Sequence, residues 1–292
     1  MVCIRCNTRT VQPTPKSLIL DLLSTVRGQA MPVRALVAAG DLFGISSESM
    51  RVALVRLLSR GTIERNERGQ YRIAPTARAI ERHVVAWTRT EERVGPWRAG
   101  SWIGVHSAGL ARGDRTQVRR RHRTLQLFGM RELRTHLWVR PNNLKGGIDA
   151  VRAELFSLGL EREAPVFELS QLEPSVEARA RRLYDTTALR RQYASLRAAL
   201  ERSTAQLRQL APTAAMVESF LLGGQAIRHI VLDPLLPEPM IPVAERRALS
   251  ECMRRYDQLG RACWRPFMQA HDAPHLQTPR TVQAVHAWAA SA

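Results

Sequence analysis

Residues 46–61 have the sequence SSESMRVALVRLLSRG, and this stretch decides how the N-terminal part of the chain is interpreted. Ser46 is a residue type that caps helix N-termini, Glu48 suits a first turn, and Gly61 suits a helix end. The apolar residues recur with the spacing of one helical face; they are Met50, Ala53, Leu54, Leu57 and Leu58. The stretch predicts an amphipathic helix whose outer face consists of Ser47, Glu48, Arg51, Val52, Val55 and Arg56.

Two shorter apolar stripes precede this helix, and two short alternating runs follow it. The second stripe has Pro32 in its first turn, where proline is well tolerated. Residues 62–65 and 70–73 alternate around a Gly-containing turn, which is the pattern of a β-hairpin. Three helices followed by a hairpin predict a winged helix-turn-helix domain over residues 15–90.

Beyond this domain the pattern changes twice. The sequence predicts a fourth helix from Pro75 to about Trp87 and a linker at Glu91–Gly100. After the linker, strand-like and helical runs alternate, as in a ferredoxin-like α/β sandwich. These runs lie at 101–105, 115–128, 134–140, 147–158 and 165–169. From Ser175 onward only helical patterns remain. The expected organisation is α+β and multidomain, with a disordered tail at 1–14, the winged helix-turn-helix at 15–90, the ferredoxin-like domain at 96–172, an all-α domain at 173–272 and a tail at 273–292.

The charge of the chain points to a polyanionic partner. Of 292 residues, 44 are Lys or Arg and 26 are Asp or Glu, which gives a formal net charge of +18. Nearly all the basic residues are arginine, which binds phosphate in a bidentate way, although a high-GC genome also raises arginine use. The positive charge is densest in residues 1–90, with 14 basic and 6 acidic residues. Such a segment raises non-specific affinity for nucleic acid.

Other function classes lack their signatures in this sequence. Cys3 and Cys6 form a lone C-x-x-C without further ligands, whereas a zinc site needs about four. The histidines are scattered, and no Walker loop, G-x-S-x-G or H-E-x-x-H is present. No signal peptide or apolar run of 18 residues is visible. We therefore expect a cytoplasmic protein without metal, cofactor or membrane attachment.

Three segments together resemble the PaaX family of transcriptional repressors. The first is residues 46–57 of the predicted helix. The second comprises Trp97, Trp102, Gly129 and the sequence LWVRPNNL at 137–144. The third comprises Arg228 and the sequence LDPLLP at 232–237. The resemblance spans residues 15–270 and implies a homodimeric repressor of aromatic-acid (phenylacetate) catabolism, released from DNA by an aryl-acetyl-coenzyme A thioester. It also implies a central domain similar to a CRISPR-associated nuclease fold.

The expected DNA contacts follow from the predicted helix and hairpin. Arginine reaches guanine edges or phosphates in the major groove, and valine meets a thymine methyl group. The hairpin tip adds two candidate phosphate contacts. The expected DNA-binding residues are Ser46, Ser47, Glu48, Arg51, Val52, Val55, Arg56, Arg65 and Arg68. The alternative is an ordinary amphipathic helix with a solvated polar face and an exposed turn. The effector-binding residues stay unassigned.

Two further features have open interpretations. The run Arg119–Arg123 could contact flanking DNA, bind coenzyme A phosphates, or form a solvated face or dimer contact. Asp233 could be a catalytic or metal-binding acid, but we expect it to pin the proline-rich turn that it opens.

The sequence favours a regulator over an enzyme. A nuclease built on the central domain would need a carboxylate at the end of the first strand to hold a metal, and that strand leads into His106 instead, with Asp114 only after a loop. The expectation is a ligand-released, DNA-binding repressor that is not an enzyme. The alternatives are a metal-dependent nuclease and an architectural DNA-binding protein without an effector.

Overall fold

The computed structural model describes residues 12–26, 28–75, 83–110 and 114–274. Three helices and a three-stranded sheet form the N-terminal part. In chain order these elements are α1 (Pro15–Thr25), β1 (Met31–Pro32), α2 (Val33–Leu42), α3 (Ser47–Ser59), β2 (Ile63–Arg65) and β3 (Gln70–Ile73). The antiparallel sheet has the order β1-β3-β2.

The sequence interpretation missed strand β1. Met31 pairs with Tyr71 and Pro32 with Gln70, so the residues just before α2 extend the hairpin by a third strand. Pro32 is the residue that precedes α2 and not a residue of its first turn. Two residues are too few to show the alternation by which a strand is recognised. Leu58 was also assigned to the buried face of α3, but its side chain is 39% exposed.

The connection out of this part is packed against the rest of the molecule. Residues 76–82, where the fourth helix was expected, lie outside the described residues. A short helical turn at 83–85 continues into a 3₁₀ helix, Ala86–Arg93. The segment predicted as a linker has no regular structure after this helix, yet it is held in place. Its Trp97 ring meets Trp102 edge-on, with centroids 6.1 Å apart, and Trp97 Nε1 donates to the Ser101 carbonyl at 2.7 Å.

The central part is a four-stranded antiparallel sheet with two helices. Its elements are β4 (Trp102–His106), α4 (Arg115–Leu127), β5 (Arg131–Arg134), β6 (Leu137–Pro141), α5 (Gly147–Leu158) and β7 (Val166–Leu169). The strand order is β5-β6-β4-β7. The single strand predicted at 134–140 is wrong, because the chain reverses at His136, with φ of 67°, between β5 and β6. The sequence RELR of β5 lacks the apolar alternation that would have identified it.

The C-terminal part is entirely helical among the described residues. It consists of α6 (Pro174–Arg182), α7 (Thr186–Gln206), α8 (Pro212–Val231) and α9 (Val243–Ala270). Helix α9 packs along α7 and α8. The predicted helices at 213–231 and 244–270 are confirmed within one residue. The chain as a whole is a mixed α+β protein, as expected.

Two hydrophobic cores hold these parts together. One joins the central sheet to the C-terminal helices. The other belongs to the N-terminal elements but also includes four residues of α8 and α9: Met216, Phe220, Trp264 and Met268. The N-terminal elements are thus seated on the helical part and do not stand apart from it. No helix within the described ranges is long and apolar enough to cross a membrane.

Candidate nucleic-acid interface

Helix α3 forms as its sequence predicts. The Ser46 side chain accepts a hydrogen bond from the backbone N–H of Ser49 at 3.2 Å, which satisfies one of the free donors at the helix start. Glu48 lies in the first turn, where its charge favours the helix dipole. The buried residues of the helix are Met50, Ala53, Leu54 and Leu57.

The outer face of α3 combines exposed cations with exposed apolar groups. All six outer residues predicted from the sequence are exposed, from Ser47 to Arg56. Val52 and Val55 are 42% and 65% exposed, and Leu58 continues their line. These are three of the four exposed large hydrophobic residues in the described part of the chain. Burying such groups is favourable, so the three on one helix make the outer face of α3 a candidate contact surface.

The β2–β3 turn presents two further arginines. Asn66 organises the turn: its side-chain oxygen accepts from the backbone N–H of Gln70 at 2.9 Å, and its carbonyl accepts from the Gly69 N–H at 3.0 Å. Gly69 has a φ of 73°, which a glycine adopts without strain. Arg65 and Arg68 are both exposed at this turn, as predicted.

A groove of about 400 Å³ runs between the start of α1 and the outer face of α3. Its charged and polar lining includes Lys16, Glu48, Arg56 and Arg60. Burial lowers the pKa of Lys16, and the nearby charges of Arg60 and Arg123 lower it further. Neither Lys16 nor Arg60 is among the DNA-binding residues predicted from the sequence. Lys16 lies 30 residues before the stretch 46–61 and Arg60 near its end, and only the packing of α1 on α3 brings them together.

The arginine run of α4 is divided among different environments. Arg121 is 4% exposed and forms an ion pair with Glu161. The ring of His122 meets Trp138 at a centroid distance of 5.2 Å, and the Arg120 guanidinium lies against Gly159. Arg119 is exposed and Arg123 half-buried. The run is therefore neither one uniformly solvated face nor one binding surface.

Asp233 pins the turn that it opens, as expected. Its Oδ1 accepts from the backbone N–H of Leu235 at 2.7 Å, and its Oδ2 accepts from the hydroxyl of Tyr193. Leu235 has a φ of 53°, so this turn contains a left-handed residue that is not glycine. Burial raises the pKa of the Asp233 carboxyl, against the opposing effect of Arg246.

Strand β6 contacts the same turn from the other side. Arg140 is fully buried, and its guanidinium donates to the carbonyls of Phe128 at 2.5 Å and Pro234 at 3.4 Å. Asn143 Nδ2 donates to the carbonyl of Leu235 at 2.6 Å. Burial lowers the pKa of Arg140 to about 10. The segments 137–144 and 232–237 thus meet in one buried polar cluster that joins the central sheet to the helical part.

Among the described residues, the end of β4 has no carboxylate of the kind that a metal-dependent nuclease needs there. Strand β4 ends at His106, which is exposed. Asp114 caps α4, accepting from the backbone N–H of Thr116 at 2.8 Å. In the described ranges, no three or more His, Cys, Asp or Glu side chains are grouped so as to hold a metal ion. Cys3 and Cys6 lie outside those ranges.

Comparison with known proteins identifies the family. A model of PaaX-like proteins matches residues 14–77, and a model of the PaaX-like protein C-terminal domain matches residues 184–270. No curated protein matches the chain. A solved structure, that of the uncharacterized protein Rv0674 from Mycobacterium tuberculosis, is similar with a TM-score of 0.52 and 22% sequence identity. The match covers 86% of this chain and 98% of that one, which shows a shared fold. The matched residues include α3, its groove and the Asp233 turn, and the chain belongs to the PaaX-like proteins, a family of transcriptional regulators.

Proposed function

We propose that this protein is a DNA-binding transcriptional repressor that reads its operator with α3 and is released by a small-molecule effector. The observation that supports this most directly is the outer face of α3. Two exposed arginines, Arg51 and Arg56, flank two exposed valines on this capped helix. Membership of a regulator family agrees with this use of the helix.

The proposed architecture has three domains. Residues 15–90 form a winged helix-turn-helix, which is supported by three helices and by a hairpin that β1 extends. Residues 96–172 form a ferredoxin-like sandwich, which is supported by the β-α-β-β-α-β order and the strand order β5-β6-β4-β7. Residues 173–272 form the all-α domain. The segments expected to be tails, 1–14 and 273–292, lie almost entirely outside the described residues. Because α8 and α9 share a core with the N-terminal elements, changes in the helical domain can reach the DNA-binding domain.

In the proposed complex α3 enters the major groove. Arg51 and Arg56 have the reach and the donors to bind guanine edges or phosphates, and Val52 and Val55 can meet thymine methyl groups. The Ser46, Ser47 and Glu48 side chains lie at the N-terminal end of α3, which in helix-turn-helix proteins faces the bases. Arg65 and Arg68 at the hairpin turn contact the phosphate backbone.

The proposed regulation follows the resemblance to the PaaX family. Two protomers form a homodimer that binds two half-sites, which doubles the small interface of a single DNA-binding domain. The effector is an acyl-coenzyme A thioester from aromatic-acid catabolism, and it favours a dimer geometry that does not match the operator. To switch occupancy strongly, the effector must prefer this geometry by several kcal/mol, ~5 for a nearly complete switch. The protein acts in the cytoplasm, where it meets DNA.

The test measures binding to duplex DNA from the region upstream of the protein's own coding sequence. Arg51→Ala and Arg56→Ala should each weaken binding, and Arg191→Ala, an exposed arginine on α7, serves as the matched control. The logarithm of the affinity should fall with the logarithm of salt concentration at a slope of roughly −5 to −9, for about six to ten phosphate contacts. Unchanged binding of both α3 variants, or a slope near zero, would contradict the proposal.

The effector is tested by adding a panel of acyl-coenzyme A thioesters to the preformed complex. Release by one thioester but not by free coenzyme A would support the proposed regulation. If no thioester in the panel changes binding, the effector class is wrong while the DNA assignment is unaffected.

A further inference from the structure

A small polar cavity lies where the 3₁₀ helix, the central sheet and the end of α8 meet. Its volume is about 20 Å³, which is enough for one water-sized group. Trp87 and Arg93 of the 3₁₀ helix line it, together with Arg140 of β6. Val231 and Asp233 line it on the side of the helical part. The cavity therefore lies at the junction of the central and helical parts, beside the segment that leads out of the N-terminal part.

Trp87 gives this cavity a hydrogen-bond donor that the protein does not use. Its side chain is 1% exposed, and in the described part of the chain its indole Nε1 has no acceptor. Native proteins rarely leave a buried donor unpaired, because burial removes the water that would otherwise accept from it. Since Trp87 lines a space large enough for an acceptor atom, we expect the partner of Nε1 to come from a bound molecule.

The charged groups around the cavity favour an acceptor over a further donor. Arg140 is buried, and its guanidinium donates to carbonyl and amide oxygens but forms no ion pair with a described carboxylate. Asp233 already accepts at both carboxylate oxygens within the turn that it pins. Glu154 accepts from Arg93 Nη2 at 2.8 Å and lies 2.9 Å from His83 Nδ1. Because these carboxylates are engaged by protein donors, an oxygen with partial or full negative charge fits the remaining lining.

An outer cleft of about 380 Å³ lies beside the cavity, between the 3₁₀ helix and α5. Arg93 and Leu144 line both spaces. The apolar lining of the cleft also includes Ala86, Ala150 and Val151, and its charged lining consists of Arg89, Glu92, Arg93, Lys145 and Glu154. The cavity and the cleft together suit a molecule that combines an apolar body with an oxygen acceptor.

We propose that the cavity and the outer cleft form the effector-binding site, in which an acyl oxygen accepts from Trp87 Nε1 and the apolar body of an aromatic acid occupies the cleft. This inference rests on the proposed function. The cavity has room for the oxygen alone, so the rest of the effector must lie in the cleft. The acyl group is common to the free acid and to its coenzyme A thioester, and the test compares the two.

The position of the site connects it to the DNA-binding elements. The 3₁₀ helix follows the N-terminal part in the chain, and its Glu91 pairs with the buried Arg246 of α9. Helix α9 in turn contributes Trp264 and Met268 to the core of the N-terminal elements. A ligand that shifts Trp87 therefore acts on a segment that is tied to the support of α3. This is how binding would favour a geometry that does not match the operator.

The experiment follows the indole N–H of Trp87 by NMR of the full chain, which has six tryptophans. Trp87→Phe removes one indole signal and thereby assigns it. Adding phenylacetate or phenylacetyl-coenzyme A to the wild type should shift this signal, because the N–H gains an acceptor. In calorimetry, Trp87→Phe should bind the same probe roughly 5- to 10-fold more weakly, as expected for the loss of one hydrogen bond.

Matched substitutions on α5 separate a blocked cleft from a damaged fold. Ala150 is exposed and lines the cleft, whereas Ala153 is exposed on the same helix and does not line it. Ala150→Trp should weaken binding of the probe by roughly 10-fold or more, because the indole fills the cleft. Ala153→Trp should bind it like the wild type. Both variants should keep the wild-type thermal stability and, without the probe, the wild-type affinity for DNA.

The outcomes distinguish this inference from the proposed function. A shift of the Trp87 signal with the acid, the thioester or both supports the site and identifies the form that is bound. An equal shift with free coenzyme A would overturn the inference, because the acyl group would then not be what is recognised. If a probe binds without moving this signal and Ala150→Trp binds it like the wild type, the effector site is elsewhere and the proposed function stands. If no probe binds, the inference fails with the effector class, while Arg51→Ala and Arg56→Ala test the DNA assignment independently.

Discussion

Replacing Tyr193 with phenylalanine removes one oxygen atom from the buried cluster at the Asp233 turn. Tyr193 and Asp233 are 4% and 7% exposed, so water cannot easily replace the lost donor. The Asp233 Oδ1 keeps its bond from Leu235, but Oδ2 loses the tyrosine hydroxyl. Because phenylalanine preserves the shape of the ring, no cavity opens. A hydrogen bond to a charged group contributes ~1.5–3 kcal/mol, and we expect Tyr193→Phe to lower the free energy of unfolding by about 2 kcal/mol.

The control for this change is Tyr184→Phe in the same region. The Tyr184 hydroxyl donates to the backbone carbonyls of Gly129 and Val139, both at 3.0 Å. These acceptors are uncharged, so the expected loss is only about 1 kcal/mol. Urea denaturation followed by circular dichroism and tryptophan fluorescence measures both values, provided that the two signals coincide.

At acidic pH, the free energies of unfolding of Tyr193→Phe and the wild type should become more similar. The tyrosine hydroxyl lowers the pKa of Asp233, although burial raises it overall, so the variant should have the higher pKa. The stability difference is therefore complete at high pH and is lost as pH falls through the pKa values of Asp233. A loss smaller than that of Tyr184→Phe, or a difference that grows with acid, would refute this account of the turn.

Three further predictions concern other contacts. Gly129 has a φ of 69°, and a Cβ there would lie 2.6 Å from Pro234 Cα. Gly129→Ala should therefore lower the free energy of unfolding, measured by urea denaturation, by about 2–5 kcal/mol. Unchanged stability of this variant would contradict the close approach of Gly129 to Pro234. Phe220 lies between the N-terminal elements and α9. Phe220→Ala should lower the free energy of unfolding by ~3–5 kcal/mol and make the N-terminal domain sensitive to limited proteolysis. The control Leu210→Ala changes an exposed side chain and should have neither effect. Burial lowers the pKa of both His83 and His229. Because the unfolded chain binds these protons at higher pH than the folded chain does, the free energy of unfolding should fall as pH drops below about 6.5. His83→Gln should weaken this pH dependence, and an unchanged dependence of stability on pH would argue against a buried neutral imidazole.

Local patterns were sufficient wherever a helix is long and amphipathic. The bounds of α3 and α5 and the exposed face of α3 follow from residue spacing and caps, because these signals act within a few residues. Short strands were a different case. Strand β1 has two residues and β5 lacks alternation, so their existence depends on the partner strand that pairs with them.

The stretch 46–61 by itself determined a capped helix with one buried and one exposed face, because the apolar period and the capping residue belong to the chain locally. The excess of arginine likewise determined that a polyanion is the expected partner. Only the tertiary structure decided which arginines are free for it. Arg121 and Arg123 are two residues apart, yet Arg121 pairs with Glu161 while the charge of Arg123 lowers the pKa of Lys16. That difference arises from elements 40 and 107 positions away in the chain, and side-chain contacts over such separations form only when the chain folds.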